Sequence, residues 1–344
     1  MTMKKRFLVG LWLLCISIMS CQKDTMVNEP GNLVPKTVDQ DPTLPQIKLN
    51  GISFHTQAFG PVDSPLIITL HGGPGANYRY LLNCVSLADS GYRVVFYDQR
   101  GSGLTQRLPK KWYTGWGENG LDKMFYEDLR AIISHYKTRP TQKVILVGHS
   151  WGAILATGYA AKYPNEISGM ILAEPGGLVW NDIVKYVQES RSYGLWSEAL
   201  NDISYLDQFI SAREDQHQIA DYKLYIASAT NSIVGDQFST LDGNEKWYRS
   251  PRDGAFVNIG GFEWADKYKP DFTKGIDQYS KKILFLYSSN NKAYPDAWAN
   301  KIASVYPNKQ IVKINGAGHS GMFDQQDFWK GVTQKLVIQY LKSL

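Results

Sequence analysis

Along most of this chain, short β-branched and apolar runs alternate with stretches of helical spacing, and that alternation narrows the fold more than any other feature. The runs at 66–70, 93–97, 143–147, 169–173, 282–287 and 310–314 are largely apolar rather than apolar at every second position, as strands buried on both faces should be. Helical patterns occupy 78–90, 122–137, 153–163, 295–306 and 324–344. A buried strand followed by a helix and then another buried strand enters a parallel sheet covered on both sides. The expected class is therefore α/β, a mostly parallel sheet flanked by helices. Between 178 and 275 the alternation stops. That stretch is rich in Trp, Tyr, Asp and Glu, has helical spacing at 205–214 and lacks a convincing buried strand. It predicts a largely helical cap, 178–275, inserted into a sheet domain formed by 47–177 and 276–344.

The first twenty residues stand apart. Lys4, Lys5 and Arg6 precede the apolar run 7–19, and Ser20 and Cys21 follow at once, which is the order of an export signal and predicts removal of 1–20. The run is shorter than the roughly 20 residues a helix needs to span a bilayer. Ile18-Met19-Ser20-Cys21 resembles the cleavage box of bacterial lipoproteins, which implies lipidation of Cys21 and a membrane-anchored protein on the periplasmic or cell-surface side. An ordinary signal peptide with an incidental cysteine is the alternative. Pro30, Pro35, Pro42 and Pro45 lie among polar residues, so 21–46 is expected to be an extended, lipid-anchored linker, with the folded domain starting near Ile47.

Loss of Lys4, Lys5 and Arg6 lowers the formal charge from +5 to +2, and no Lys/Arg cluster of the kind that grips nucleic acid remains. Cys15 leaves with the signal and Cys21 is the lipid site, so Cys84 has no intramolecular disulfide partner. The chain has no H-E-x-x-H, no Gly-rich phosphate loop and no paired-cysteine ligand set, so neither metal nor organic cofactor is expected.

Gly148-His149-Ser150-Trp151-Gly152 fits G-x-S-x-G, and its context matters more than the pattern. An apolar strand precedes it and an alanine-rich helix follows, the setting in which flanking glycines permit a sharp turn that lifts the serine oxygen above a sheet. Ser150 is the candidate nucleophile. Its hydroxyl needs a base, and with this elbow the chain order is Ser, then Asp or Glu, then His. Only His217, in the cap, and His319 follow Ser150. His319 is preferred because it comes after Asn315-Gly316-Ala317-Gly318, in the loop that ends the last strand. An acyl transfer also needs N–H donors for an oxyanion: Trp151 directly after the nucleophile, and Gly73 in the loop His71-Gly72-Gly73-Pro74-Gly75.

HGGPG at 71–75, DQRGSG at 98–103 and GHSWG at 148–152, in that order, resemble the proline iminopeptidase group of the α/β-hydrolase superfamily. The resemblance covers about 50–175 and 270–344 and implies an α/β-hydrolase fold. It also implies an acid just after the strand at 282–287, where this chain instead reads Ser288-Ser289-Asn290-Asn291. One strand earlier, 169–173 ends in Glu174-Pro175. Some α/β hydrolases, notably a group resembling haloalkane dehalogenases, carry the acid there. Glu174 is therefore assigned as the third member, with Asn291 and Asp296 as alternatives.

The family's cap supplies carboxylates that hold the free amino end of a short peptide. Glu189, Glu198, Asp202, Glu214 and Glu245 are acidic candidates, and Trp180, Tyr186, Trp196, Tyr205, Trp247 and Trp264 suit an apolar acyl pocket. His149, where such peptidases more often have glycine, and Asn291 depart from the pattern. The expected activity is a serine aminopeptidase acting on short peptides or aminoacyl amides. An esterase or lactonase, and a non-catalytic binding protein that keeps the fold, are the alternatives.

Overall fold

In the computed structural model, which describes residues 34–192, 217–221, 224, 232–233 and 252–344, the six expected strands are joined by two more at the front of the chain. The strands of the main sheet are β1 Gln46–Leu49, β2 Ile52–Phe59, β3 Leu66–Leu70, β4 Arg93–Tyr97, β5 Val144–His149, β6 Gly169–Ala173, β7 Ile283–Ser288 and β8 Lys309–Ile314, and Arg191–Ser192 and Ser232–Ile233 form a separate antiparallel pair. The main sheet has the order β1-β2-β4-β3-β5-β6-β7-β8. From β4 onward across the sheet every pairing is parallel, and only the β1–β2 and β2–β4 pairings are antiparallel. The β1–β2 hairpin turns at Asn50-Gly51, both with positive φ (50° and 77°), the conformation for which this dipeptide is the strongest short signal.

Successive residues of the central strands point to opposite faces. Ile68, Val95, Leu146, Leu172 and Phe285 pack on one side against α2, Trp151–Lys162. Ile67, Val94, Ile145, Ile171 and Leu284 pack on the other, against the 3-10 helix Tyr78–Ser90 and α6, Gln334–Lys342. Other helices among the described residues include α1 Glu127–Tyr136, α3 Trp180–Ser190, α4 Ala255–Tyr268 and α5 Asp296–Ala303. The single helix expected over 324–344 is instead broken. Gln325 is extended (φ −78°, ψ 117°) and a π turn at Trp329–Thr333 precedes α6. This break lets Trp329 bury its ring and donate from Nε1 to Ser86 Oγ at 2.9 Å.

Two features frame the site. The chain leaves and re-enters the sheet domain through a neck in which Trp180 N donates to the Pro270 carbonyl (3.0 Å) and Phe272 N to that of Leu178 (2.9 Å). The described part of the region beyond the neck includes α3 and α4. At the front, the folded unit begins before Ile47. Val34 and Val38 are each 1% exposed, Val38 N bonds the Leu104 carbonyl (2.9 Å) and Arg252 donates to the Pro35 carbonyl (3.1 Å). The proline-rich stretch that reads as a free linker is, from Val34 onward, a strap held to the folded unit by these hydrogen bonds, with both valines buried. Cys21 and the signal lie outside the described residues. Among the described residues no helix is long and apolar enough to cross a membrane.

Candidate active site

Parallel register brings the chemistry together. His149 of β5 pairs with Ala173 of β6, and Ala173 with Leu286 of β7, so Ser150 and Glu174 are the next residues at adjoining strand ends. Ser150 N donates to the Ala173 carbonyl at 2.9 Å, stitching the two ends. Ser150 sits at φ 54°, ψ −122°, a conformation that a side chain rarely adopts. The turn is that tight because its flanks are glycine: a Cβ on Gly148 would collide with the Gly152 main chain, and one on Gly152 with the Leu70 carbonyl.

Glu174 also has positive φ (43°), and both its backbone and its carboxylate are held. Its N–H donates to the Leu286 carbonyl at 3.1 Å. Its Oε1 accepts from Ser288 N and Ser288 Oγ, both at 2.6 Å. Its Oε2 accepts from Asn291 Nδ2 at 2.8 Å and faces His319 Nδ1 at 2.5 Å. A fully buried carboxylate is expensive unless it is met by donors and charge, and here four donor groups surround it. Asn291 thus stands beside Glu174 as a donor to it, and also donates to Tyr186 Oη at 2.9 Å. Asp296, the other alternative, is at the surface. Lys313 Nζ lies 2.7 Å from its Oδ1, and the hydrogen bond to this lysine holds its carboxyl below the usual range.

His319, its Nδ1 turned to Glu174, lines one cavity together with Ser150. His217 is elsewhere occupied, its Nε2 donating to the Leu108 carbonyl at 2.6 Å.

Gly73 and Trp151 line the same cavity as Ser150. The Gly73 loop is braced from behind. His71 Nδ1 donates to the Gly72 carbonyl (2.8 Å) and its Nε2 accepts from Gln99 N (2.9 Å), an arrangement open to a neutral ring, and burial lowers its pKa. Gln99 Nε2 donates to the His71 carbonyl and Gln99 Oε1 accepts from the Trp151 indole, each at 2.9 Å. Asp98 accepts from Tyr78 N and Leu104 N and meets His55 Nδ1 at 2.8 Å. The DQRGSG segment is in this way the clamp that ties the glycine loop to the strands beneath it.

The cavity holds about 280 Å³. Trp180, Tyr186 and Trp264 line it as expected, joined by Trp116, Phe125 and Phe272, which sequence patterns offer no means of selecting. Among the described lining residues none other than His319 is ionisable below pH 9 by its ordinary chemistry. Glu189 is exposed and pairs with Lys185 at 3.9 Å. Glu198, Asp202, Glu214, Glu245, Trp196, Tyr205 and Trp247 lie outside the described residues.

A doubly wound sheet with a serine elbow, a histidine in the loop after the last strand and a buried carboxylate beside it defines a class of fold and site. The alpha/beta hydrolase fold family model matches residues 65–326, and the chain belongs to that family. It is 37% identical over 133 residues to a proline iminopeptidase of Thermoplasma volcanium, covering 38% of this chain and 41% of that protein. It is 22% identical over 275 residues to the bifunctional esterase/perhydrolase of Acinetobacter calcoaceticus, covering 78% and 90%. The first curated relatives are matched over only 32–42% of their own length. Among solved structures, an esterase from Exiguobacterium antarcticum superposes with a TM-score of 0.59 at 18% identity, over 87% of this chain and 99% of that one, a likeness of fold.

Proposed function

We propose that this protein is a serine hydrolase working through an acyl-enzyme on Ser150, and that its substrates are compact esters or amides with an apolar acyl group. The supporting observation is the cavity: Ser150 and His319 open onto a space walled by Trp116, Phe125, Trp264 and Phe272. Burying an acyl chain there gains about 25 cal/mol per Å² of apolar surface. His319 Nε2 takes the Ser150 Oγ proton as Oγ attacks the carbonyl carbon, while Glu174 holds Nδ1–H and steadies the imidazolium. The N–H groups of Gly73 and Trp151 receive the oxyanion. The imidazolium then protonates the departing alcohol or amine. Water, deprotonated by His319, releases the acid and returns the proton to Ser150.

The aminopeptidase reading is favoured by the three shared motifs and by the proline iminopeptidases among the relatives. It requires a carboxylate to meet a free amino group in the cavity.

Labelling with a fluorophosphonate, together with turnover of acyl p-nitrophenyl esters and unblocked aminoacyl arylamides, tests these readings. Wild type should label and Ser150→Ala should not, and apolar acyl esters should be the better substrates. Preference for free-amine substrates would select the aminopeptidase. An unlabelled wild type would reject the hydrolase and leave a binding protein that keeps the fold. We propose in addition that Cys21 is acylated after export and holds the enzyme at a membrane; metabolic incorporation of labelled palmitate, absent in Cys21→Ala, is the expected result.

A further inference from the structure

His149, the variable residue ahead of the nucleophile, takes no part in the reaction just described, yet it is 3% exposed and both its ring nitrogens are engaged. Its Nε2 lies 2.8 Å from the main-chain carbonyl oxygen of His319. A carbonyl only accepts, so Nε2 carries the proton and Nδ1 is the acceptor. Nδ1 lies 2.8 Å from Tyr80 Oη, which therefore donates to it, and Tyr80 Oη in turn accepts the N–H of Gly72 at 2.7 Å. One directed path of donors runs from Gly72, through Tyr80 and His149, to the backbone of His319. It starts one residue before Gly73 and ends on the residue that carries the base. The rings of His149 and His319 are 4.4 Å apart at their centroids.

The residues leading up to His319 are anchored on the other side, toward β7. Asn290 N donates to the Ala317 carbonyl (3.0 Å), Asn290 Nδ2 to that of Gly316 (2.6 Å), and Gly316 N to Ser289 Oγ (2.8 Å). Glu174 holds the ring. The bond from His149 grips the His319 main chain from the elbow itself. We infer that His149, set in its tautomer by Tyr80, is a positioning residue that holds the His319 backbone against the elbow so that Nε2 stays directed at Ser150 Oγ. The surroundings fit that role, since burial and the neighbouring His319 push the His149 pKa well below the ordinary histidine range, which keeps one nitrogen a donor and the other an acceptor at neutral pH.

This inference rests on Ser150 and His319 acting as nucleophile and base. Asparagine places its amide near the Nδ1 position only, whereas glutamine extends an amide N–H toward the Nε2 position. His149→Asn and His149→Gln therefore separate the bond from mere bulk. Acyl-ester kinetics and fluorophosphonate labelling rates, expressed per labelled site, are the readouts. His149→Asn should lower kcat and labelling roughly 10- to 100-fold, as small misplacements of a catalytic group do. KM should stay within about twofold, because substrate binding is untouched, and His149→Gln should recover most of the loss. An Asn variant as fast as wild type, or a Gln variant as slow as the Asn variant, overturns the inference. If His149→Asn does not fold by circular dichroism, Tyr80→Phe reads the same path: it frees the tautomer and should lower kcat at constant KM, and an unchanged kcat counts against us. A wild type that does not label sinks the hydrolase reading itself; a labelled wild type with indifferent variants sinks only the positioning role.

Discussion

Glu174→Gln puts the displaced acid to its sharpest test. Ser288 N and Oγ both donate to Oε1, so the amide oxygen of a glutamine is drawn to that side. The NH₂ group then replaces Oε2, facing His319 Nδ1 and the Asn291 amide nitrogen. Two N–H donors cannot meet, and His319 is left with Nδ1 as an acceptor and its proton on Nε2, the tautomer that cannot take a proton from Ser150. A wrongly set tautomer costs on the order of 10³–10⁴ in kcat, or about 4–5.5 kcal/mol at ~1.36 kcal/mol per decade. KM should barely move, because Glu174 lies behind His319 and does not line the cavity. The assay is single-turnover hydrolysis of an apolar acyl p-nitrophenyl ester. Adding Asn291→Asp should restore roughly tenfold or more of the loss, since it sets a carboxylate beside the introduced glutamine, whose NH₂ can donate to it, and leaves it near His319. Glu174→Gln with turnover within about tenfold of wild type would refute the reasoning, since a wrong tautomer should cost far more.

Other expectations follow from the same geometry. Gly72→Ala would place a methyl 3.2 Å from both Ser150 Cβ and Tyr80 Oη, so kcat should fall roughly tenfold or more while the melting curve changes little. A chain begun at residue 46 instead of 33 leaves Val34 and Val38 behind and should be less stable by about 3 kcal/mol or more, read from urea midpoints; equal midpoints would mean that the strap contributes nothing. Burial lowers the pKa of His71, His149 and His217, so the unfolded chain binds more protons than the folded one below the ordinary value of 6.5. Stability contributed by keeping these rings neutral is intact above that value and is lost as pH falls, by up to about 1.4 kcal/mol per pH unit for each ring. Asp253, raised by burial to about 7, and Asp128, also raised by burial, work in the opposite direction, against three histidines. The net result should be a lower urea midpoint at pH 5.5 than at pH 7.5, and His149→Gln should flatten that slope; a slope unchanged in His149→Gln would show that His149 is not neutral in the fold.

Where local pattern and chemistry coincide, the residues alone are enough. The apolar runs that form β3 to β7 are covered on both faces, and such cover leaves an unbroken apolar signature. At the sheet edge, β8 is only partly buried, and its lysines Lys309 and Lys313 interrupt the run accordingly. The elbow is legible because a turn that tight admits little besides glycine at Gly148 and Gly152. The hairpin β1–β2 escapes such a reading because His55, Thr56 and Gln57 interrupt its apolar pattern, although Asn50-Gly51 marks the turn. The helix break at Gln325 answers to the burial of Trp329, a demand of tertiary packing that no local propensity carries.

The site divides in the same way. Ser150 and His319 can be picked by residue type and chain order, whereas Glu174 is reached only through the resemblance to hydrolases with the acid one strand earlier, with Asn291 and Asp296 left as alternatives. The meeting of Ser150, His319 and Glu174 depends on the register of β5, β6 and β7, which sets Glu174 rather than Asp296 against His319. Only the folded chain shows Asn291 as a donor to Glu174, Tyr80 as the residue that orients His149, and Val34 as part of the domain. Hydrogen bonds across 69 and 170 residues of sequence leave no periodic trace in it, because their partners are selected by distance in the fold and by the cost of burying a polar group alone.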